Sequence, residues 1–447
     1  NYLIEKYGNE KAVHVIAYQT FGIKASLRDV SKVLGLSQRD VDYIAKNVKV
    51  DSEETLDELY ENSIRFKEFI DSRKIYRDIF KIARKICGLP RQTTLHAAGM
   101  CLGNDSLYNY LPLYEHDTNT LATQFDLNYI ESIGLLKMDL LGLKNLGIIQ
   151  NTLDNIFENN KKLYLNYLNL NDERVLKMFS LGYTTGIFQF ESPGTNRALR
   201  KIKPSSFEDL VAINALYRPG PMDQIDSFAN RKNGIESITY PHPSLEPILK
   251  DTYGIIVYQE QIMKILQVVA SLSLGKADVI RRAISKKDLE KMNAFKDEFL
   301  NGCIKNNYSL AVSERIWDLI VKFANYGFNK AHSVAYTMLA YQMAYMKCYY
   351  PSEFYSSLFN SFEGALINNE KFTTYVNASR IQKVKILCPS INNSIDKFKV
   401  LDNKILYSLN GIKGVSNLLV RNIIKERLEF GPYKDFIDFI VRSFKFD

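Results

Sequence analysis

The feature of this sequence that most constrains its fold is a change of apolar period along the chain. From residue 25 to about 87, apolar side chains recur three and four apart (Val30, Val33, Leu34; Leu56, Leu59, Tyr60; Ile79, Ile82, Ala83, Ile86), the spacing of one helix face. Residues 37–40 read as an N-cap turn inside this helical unit, and Gly88-Leu89-Pro90 ends it. Between residues 94 and 143 the apolar runs shorten around Gly99, Gly103 and Gly134, and Leu135-Leu136-Lys137-Met138-Asp139-Leu140-Leu141 reads as a strand stopping at Gly142. Helical spacing returns over 148–158, 207–216, 260–271, 276–284, 289–306, 313–325 and 332–349, with Pro351 closing the last helix. Asparagine-rich stretches at 159–172 and 391–403 are expected as surface loops or hairpins, and no solenoid-type repeat is visible. The pattern implies a mainly α chain with one small α+β part.

Composition narrows the class. With 447 residues, 46% hydrophobic and 24% charged, the chain has apolar material for more than one core, and its length suggests about three structural units. Lys plus Arg is 58 against 50 Asp plus Glu, a net charge of +8, which suits a polyanionic partner without identifying one. Five scattered cysteines with no C-x-x-C spacing argue against a disulfide framework or zinc knuckle and for a reduced, cytoplasmic setting. The longest apolar stretch, 334–350, is interrupted by Gln342 and Lys347, short of the roughly 18 apolar residues of a membrane span. Residues 2–8 read as the end of an amphipathic helix and the first residue is Asn1 rather than Met, so a piece of a longer chain is expected.

Several constellations could carry chemistry. Period two puts Lys137 and Asp139 on one face of their strand, where opposite charges in apolar surroundings must be paired or used. One account is a Lys137–Asp139 pair at a sheet edge; the other is a carboxylate holding Mg²⁺ beside a lysine that meets phosphate. Gly186-Ile187-Phe188-Gln189-Phe190-Glu191-Ser192-Pro193-Gly194 is followed by Arg197, Arg200 and Lys201, one basic helix face. In Tyr217-Arg218-Pro219-Gly220-Pro221 the prolines lock a turn and fix Arg218, which suits phosphate recognition or a plain structural turn. Arg281, Arg282, Lys286 and Lys287 gather where a helix ends, and the helix dipole alone would favour them there. Phe328-Asn329-Lys330-Ala331-His332-Ser333 opens a helix whose Tyr341, Tyr345 and Tyr349 read as a packing stripe; His332 has no second metal-ligating neighbour, which leaves a polar role near phosphate. Gly411-Ile412-Lys413-Gly414 makes a tight turn before a helix at 416–427, able to hold a DNA phosphate on backbone N–H groups or merely to cap that helix.

Taken in order, these stretches carry a family resemblance: His96-Ala97-Ala98-Gly99, Thr123-Gln124-Phe125-Asp126, Lys137-Met138-Asp139-Leu140-Leu141-Gly142-Leu143, Phe188-Gln189-Phe190-Glu191-Ser192, Leu216-Tyr217-Arg218-Pro219-Gly220-Pro221, residues 252–261, Arg281-Arg282-Ala283, residues 326–333, and Gly411-Ile412-Lys413-Gly414. The ordered set resembles the alpha subunits of bacterial DNA polymerase III, the C-family replicative polymerases of DnaE type.

The resemblance implies a multi-domain right-hand polymerase whose palm resembles the nucleotidyltransferase fold of β-type polymerases. Residues 1–17 and 96–145 would be palm, 18–95 thumb, 146–405 fingers and 406–447 the start of a helix-hairpin-helix region. It implies a DNA-directed DNA polymerase with a two-Mg²⁺ site. Asp139 would be the third catalytic carboxylate and a metal ligand, and Lys137 its neighbour facing the triphosphate. Arg218, Lys286, Lys287, Lys330, His332 and Ser333 would surround the dNTP; Arg197, Arg200, Lys201, Arg281, Arg282, Gly411, Lys413 and Gly414 would face DNA. The family's other two carboxylates come from a Pro-Asp-x-Asp motif upstream of this stretch. The piece alone is therefore expected to hold one of three ligands and not to extend a primer. Partners would be primer-template DNA and dNTPs, with the sliding clamp and clamp loader reached through regions outside this stretch; no membrane and no 3′–5′ exonuclease activity are expected. Two alternatives are a non-catalytic DNA-binding fragment and the PolC-type branch of the same family.

Overall fold

The computed structural model describes residues 2–48, 55–117, 120–285, 289–324, 327–362 and 369–444, which form two compact units, Asn1–Gly142 and Leu143–Asp447.

Five strands build the sheet of the first unit: β1 (Ala12–Thr20), β2 (Pro90–Leu102), β3 (Leu113–Asp117), β4 (Thr120–Asp126) and β5 (Leu136–Asp139). Their spatial order is β3-β4-β1-β2-β5, so β1 is central and β5 is an edge. β1 runs antiparallel to β2 and parallel to β4. It lies before the 94–143 window in which strands were expected, and its composition shows why. Ala12, Val13, Val15 and Ile16 are all buried, so both faces are covered and the alternation that marks a half-buried strand is missing. Between β1 and β2 the chain forms the expected helices, Ile23–Val33, Gln38–Asn47, Leu56–Asn62, Ile64–Asp71 and Lys74–Ile86, packed about Leu27, Phe66, Ile70, Tyr76 and Ile79. Ser37 caps the second by accepting the Asp40 N–H at 3.2 Å, Thr55 and Glu58 cap the third reciprocally, and Gly88, at φ +86°, ends the run.

The second unit is built on the helix Lys330–Tyr349, whose Tyr341, Met343, Ala344 and Met346 are buried. The helices Lys144–Glu158, Phe207–Leu216 and Pro351–Phe359 pack against it. Tyr341 is buried and donates to the Asn169 carbonyl at 2.8 Å, packing as its spacing suggested, while Tyr345 is half-buried and Tyr349 is exposed and donates to Asp172 at 2.9 Å. Pro351 does not simply close the long helix. It occupies the first turn of the next one, where its missing N–H costs nothing. A second core joins Gln259–Ala270, Leu274–Ser285, Leu289–Lys305 and Leu310–Ala324 around Ile262, Ile265, Phe299 and Trp317. Further on, β6 (Ile386–Leu387), β7 (Lys399–Leu401) and β8 (Lys404–Leu406) form a small sheet in the order β6-β8-β7. The hairpin expected within 391–403 turns through Asp402 and Asn403, both at positive φ. Helices Asn417–Phe430 and Phe436–Ser443 then pack about Leu409, Val420, Ile423 and Tyr433. No helix among the described residues is long and apolar enough to cross a membrane.

One buried cation stands out in the central helix. Lys347 is 2% exposed, and its Nζ donates to the carbonyls of Tyr183 at 2.8 Å and Thr185 at 2.7 Å. Burial pushes its amine down to about 7, with Glu191 partly opposing the shift. From that pH toward the ordinary lysine range of about 10.4, the unfolded chain keeps a proton that the folded chain has released, so stability rises with pH. Lys347→Met removes that rise and strands two carbonyls. Its Tm deficit against wild type should be larger at pH 9 than at pH 6.5, corresponding to about 1–3 kcal/mol at the higher pH, and thermal unfolding of both proteins at the two pH values checks it.

Candidate active site and nucleic-acid interface

In the first unit the candidate residues sit on edge strand β5, which pairs antiparallel with β2, Gly99 opposite Asp139 and Cys101 opposite Lys137. The Leu140 N–H extends the ladder to the Ala98 carbonyl at 2.7 Å. Directly opposed residues point to the same face, so Asp139 looks across at a glycine. The ring of His96 folds back over this point. Its Nδ1 accepts the N–H groups of Gly99 at 2.7 Å and Ala98 at 3.3 Å. A Cβ on Gly99 would lie 2.8 Å from that nitrogen, so the His96-Ala97-Ala98-Gly99 segment needs a residue without a side chain there.

Asp139 is exposed and, among the described residues, has no hydrogen-bond or ion-pair partner. Lys137 pairs with Glu131 at 3.5 Å, not with Asp139. The edge position is as the spacing suggested, but the pairing is different, because Glu131 follows the short helix Leu127–Ile130 that covers this end of the sheet. A solvent-facing carboxylate is a hard oxygen donor that suits Mg²⁺. It is one donor: among the described residues no group of three or more His, Cys, Asp or Glu side chains gathers as a metal site would need.

In the second unit three distant segments converge. Residues 255–258 pair with the loop before the long helix: Phe328 N–H donates to Val257 O at 3.0 Å and Gln259 N–H to Phe328 O at 2.9 Å. Gln261 is nearly buried and spends all of its amide on this segment, accepting from Val257 and Tyr258 and donating to Ile248 O and Thr252 Oγ1. Phe328 so placed forms the floor for Arg218, whose guanidinium carbon lies 4.1 Å from the ring centroid. Arg218 is half-buried, Nε donates to Ala215 O at 3.3 Å, and burial lowers its pKa. Gly220, at φ +95°, makes the turn that only glycine adopts easily. A Cβ on Gly194 would lie 1.7 Å from the Tyr217 hydroxyl oxygen, so the turn also locks against the segment following Phe188-Gln189-Phe190-Glu191-Ser192.

The same corner carries Lys330 and His332, both exposed on the first turn of the helix that Asn329 caps. Lys330 N–H donates to the Glu260 carboxylate at 3.0 Å and its Nζ lies 5.3 Å over Tyr258. Ser333 differs from its neighbours. It is buried, and its hydroxyl donates to Val211 O at 2.7 Å, seating the helix beneath them. Lys286 and Lys287 lie outside the described residues.

The remaining basic candidates divide by what holds them. Arg281 and Arg282 both pair with Asp278, at 2.7 and 2.6 Å; the Arg281 hydrogen bond first, then the neighbouring positive charges, keep that carboxyl below its usual range. Lys201 pairs with Asp226 and Arg200 donates to Leu181 O at 3.2 Å. Arg197 is exposed and has no hydrogen-bond or ion-pair partner among the described residues. In the last segment Gly411 is buried while Lys413 and Gly414 are exposed; Gly414 has φ +86° and open space where a Cβ would stand. Ser416 caps the following helix by accepting the Leu419 N–H at 3.1 Å.

Residues 1–142 match the profile of the family described as the bacterial DNA polymerase III alpha NTPase domain, 145–307 that of the bacterial DNA polymerase III alpha subunit finger domain, and 383–446 that of a helix-hairpin-helix motif. The chain is 42% identical to DNA polymerase III subunit alpha of Campylobacter jejuni over 98% of its length and 37% of that protein's. It is 42% identical to the Bacillus subtilis protein of the same name, over 99% of this chain and 39% of that one, and 39% identical to that of Borreliella burgdorferi, over 99% and 38%. It thus spans about two fifths of the length of these relatives. With two of its family's domain profiles matched in succession and 42% identity to two relatives over nearly its whole length, the chain belongs to the bacterial DNA polymerase III alpha-subunit family.

Proposed function

We propose that this chain is part of the catalytic polypeptide of a bacterial replicative DNA polymerase. The first unit would be palm with the helical thumb inserted between β1 and β2, residues from about 146 to 405 fingers, and the C-terminal helices the start of a helix-hairpin-helix region. The observation that carries the reading is the convergence of residues 217–221, 255–261 and 327–333 on one corner that presents Arg218, Lys330 and His332 together.

In the proposed reaction the primer 3′-oxygen attacks the α-phosphorus of a dNTP, the bond to pyrophosphate breaks, and the hydroxyl proton leaves. Two Mg²⁺ ions, when bound, would activate that oxygen and stabilise the leaving pyrophosphate. Asp139 contributes one carboxylate ligand from the sheet edge. Arg218, held over the Phe328 ring, would offer a planar donor fork to the triphosphate, and Lys330 would add a positive charge beside it. Lys137 can exchange its exposed partner Glu131 for a phosphate at little cost. Lys413 and the Gly414 N–H would approach duplex phosphate from a turn with open space where a Gly414 Cβ would stand. Contact with a sliding clamp and clamp loader would fall to regions outside this stretch.

Two measurements on a full-length protein containing this chain test the assignment. Arg218→Ala should raise the apparent KM for dNTP by roughly ten-fold or more while changing primer-template affinity little, with Arg218→Lys restoring only part, since charge-assisted bonds of about 1.5–3 kcal/mol are at stake. Lost DNA affinity with an unchanged KM contradicts it. Lys413→Ala should weaken binding to all duplex sequences alike and flatten the slope of log affinity against log salt by about one phosphate; a salt titration of both proteins decides, and an unchanged slope would assign the turn to helix capping alone.

A further inference from the structure

The rings behind His332 form a continuous row. His332 is exposed, and among the described residues neither of its ring nitrogens has a hydrogen-bond partner; what holds the ring is stacking. Its face lies on Tyr336, one helical turn on, with centroids 4.2 Å apart and planes at 26°. Phe328 meets it at a near-right angle, 5.2 Å and 89°, and the same Phe328 ring carries Arg218, its guanidinium carbon 4.1 Å from the centroid. Tyr336 in turn packs on Phe188 at 5.2 Å and 39°. Phe188 belongs to a loop that also has anchors away from the long helix: Gln189 sits at φ +63°, and Glu191 accepts from Gly186 N at 3.2 Å, Tyr375 OH at 2.9 Å and Lys371 Nζ at 2.9 Å.

An exposed imidazole at a helix start would otherwise exchange freely between rotamers, and a guanidinium on a flexible stem would do the same. Here each ring limits the next. We propose that Tyr336 and Phe188 are positioning residues for the incoming nucleotide: the row Phe188–Tyr336–His332–Phe328 carries the rigidity of the anchored 186–192 loop to His332 and Arg218, so both meet the nucleotide already oriented. This rests on the reading of His332 and Arg218 as nucleotide-facing. Tyr336 and Phe188 themselves touch only protein. Their contribution is pre-organisation: the ordering that a loose side chain undergoes on binding is already complete.

The test is single-nucleotide incorporation by the full-length protein containing this chain, with thermal unfolding as the folding control. Tyr336→Leu should raise the apparent KM for dNTP roughly three- to ten-fold, the range expected for loss of one aromatic pair, with primer-template affinity held and kcat affected less than KM. Phe188→Leu should act in the same direction but less, being one ring further away. Tyr336→Phe, which keeps the ring, should recover most of the loss. In a double-mutant cycle, Tyr336→Leu should add nothing to His332→Ala, because the residue it positions is gone. Additive effects, or a Tyr336→Leu protein with normal KM while His332→Ala is impaired, overturn the positioning role and leave the functional reading standing. A normal KM in both His332→Ala and Arg218→Ala overturns that reading and the proposal with it.

Discussion

Much of the second unit's candidate corner hangs on two backbone hydrogen bonds, Phe328 N–H to Val257 O and Gln259 N–H to Phe328 O. They dock the loop ahead of the long helix onto the extended segment 255–258 and fix where that helix begins. Phe328 becomes the floor beneath Arg218, and Lys330 and His332 fall on the first exposed turn. Gln261 guards this pairing from within by satisfying the neighbouring N–H groups of Val257 and Tyr258. Removing its amide would leave buried donors unpaired, the costly case for a polar group away from water.

The sheet edge in the first unit follows a different rule. There a carboxylate is kept available because nothing nearby claims it: Lys137 is drawn to Glu131, and the residue across the ladder is a glycine that His96 holds without room for a side chain. An unpaired exposed Asp costs little in stability. It is open to a cation for the same reason.

Many helices were legible in the sequence from apolar residues recurring three and four apart. Phe207–Leu216 falls where its spacing put it, and the other helices expected in the second unit begin or end within a few residues of expectation, whereas Glu173–Ser180, Ile225–Lys232, Glu370–Ile381 and Phe436–Ser443 were not expected. β1 was not legible, because a strand buried on both faces shows no alternation, and His14 and Tyr18 blur its apolar run. The Lys137–Asp139 pair suggested by spacing failed because Glu131, eight residues from Asp139 in sequence, is the nearer partner in space. Motifs pointed to Arg218, Lys330 and His332 one by one, but the pairing of 255–258 with Phe328 that joins them is a long-range contact with no local signature. The aromatic row behind His332 was equally hidden: His332 and Tyr336 are four apart and visible as a helical pair, yet Phe188 lies far away in the chain. Lys347, which only interrupted an apolar stretch in the sequence, is a buried amine serving two loop carbonyls.

The central claim is that Asp139 is a ligand of a catalytic divalent ion. The most direct measurement is the metal preference of nucleotide incorporation by a full-length protein carrying Asp139→Cys. A thiolate is a poor ligand for the hard Mg²⁺ ion and a better one for softer divalent ions such as Cd²⁺. If Asp139 binds the metal, turnover in Mg²⁺ falls by orders of magnitude while DNA binding persists, and adding Mn²⁺ or Cd²⁺ restores part of it. Wild-type turnover in Mg²⁺ with an unchanged metal preference would contradict the account.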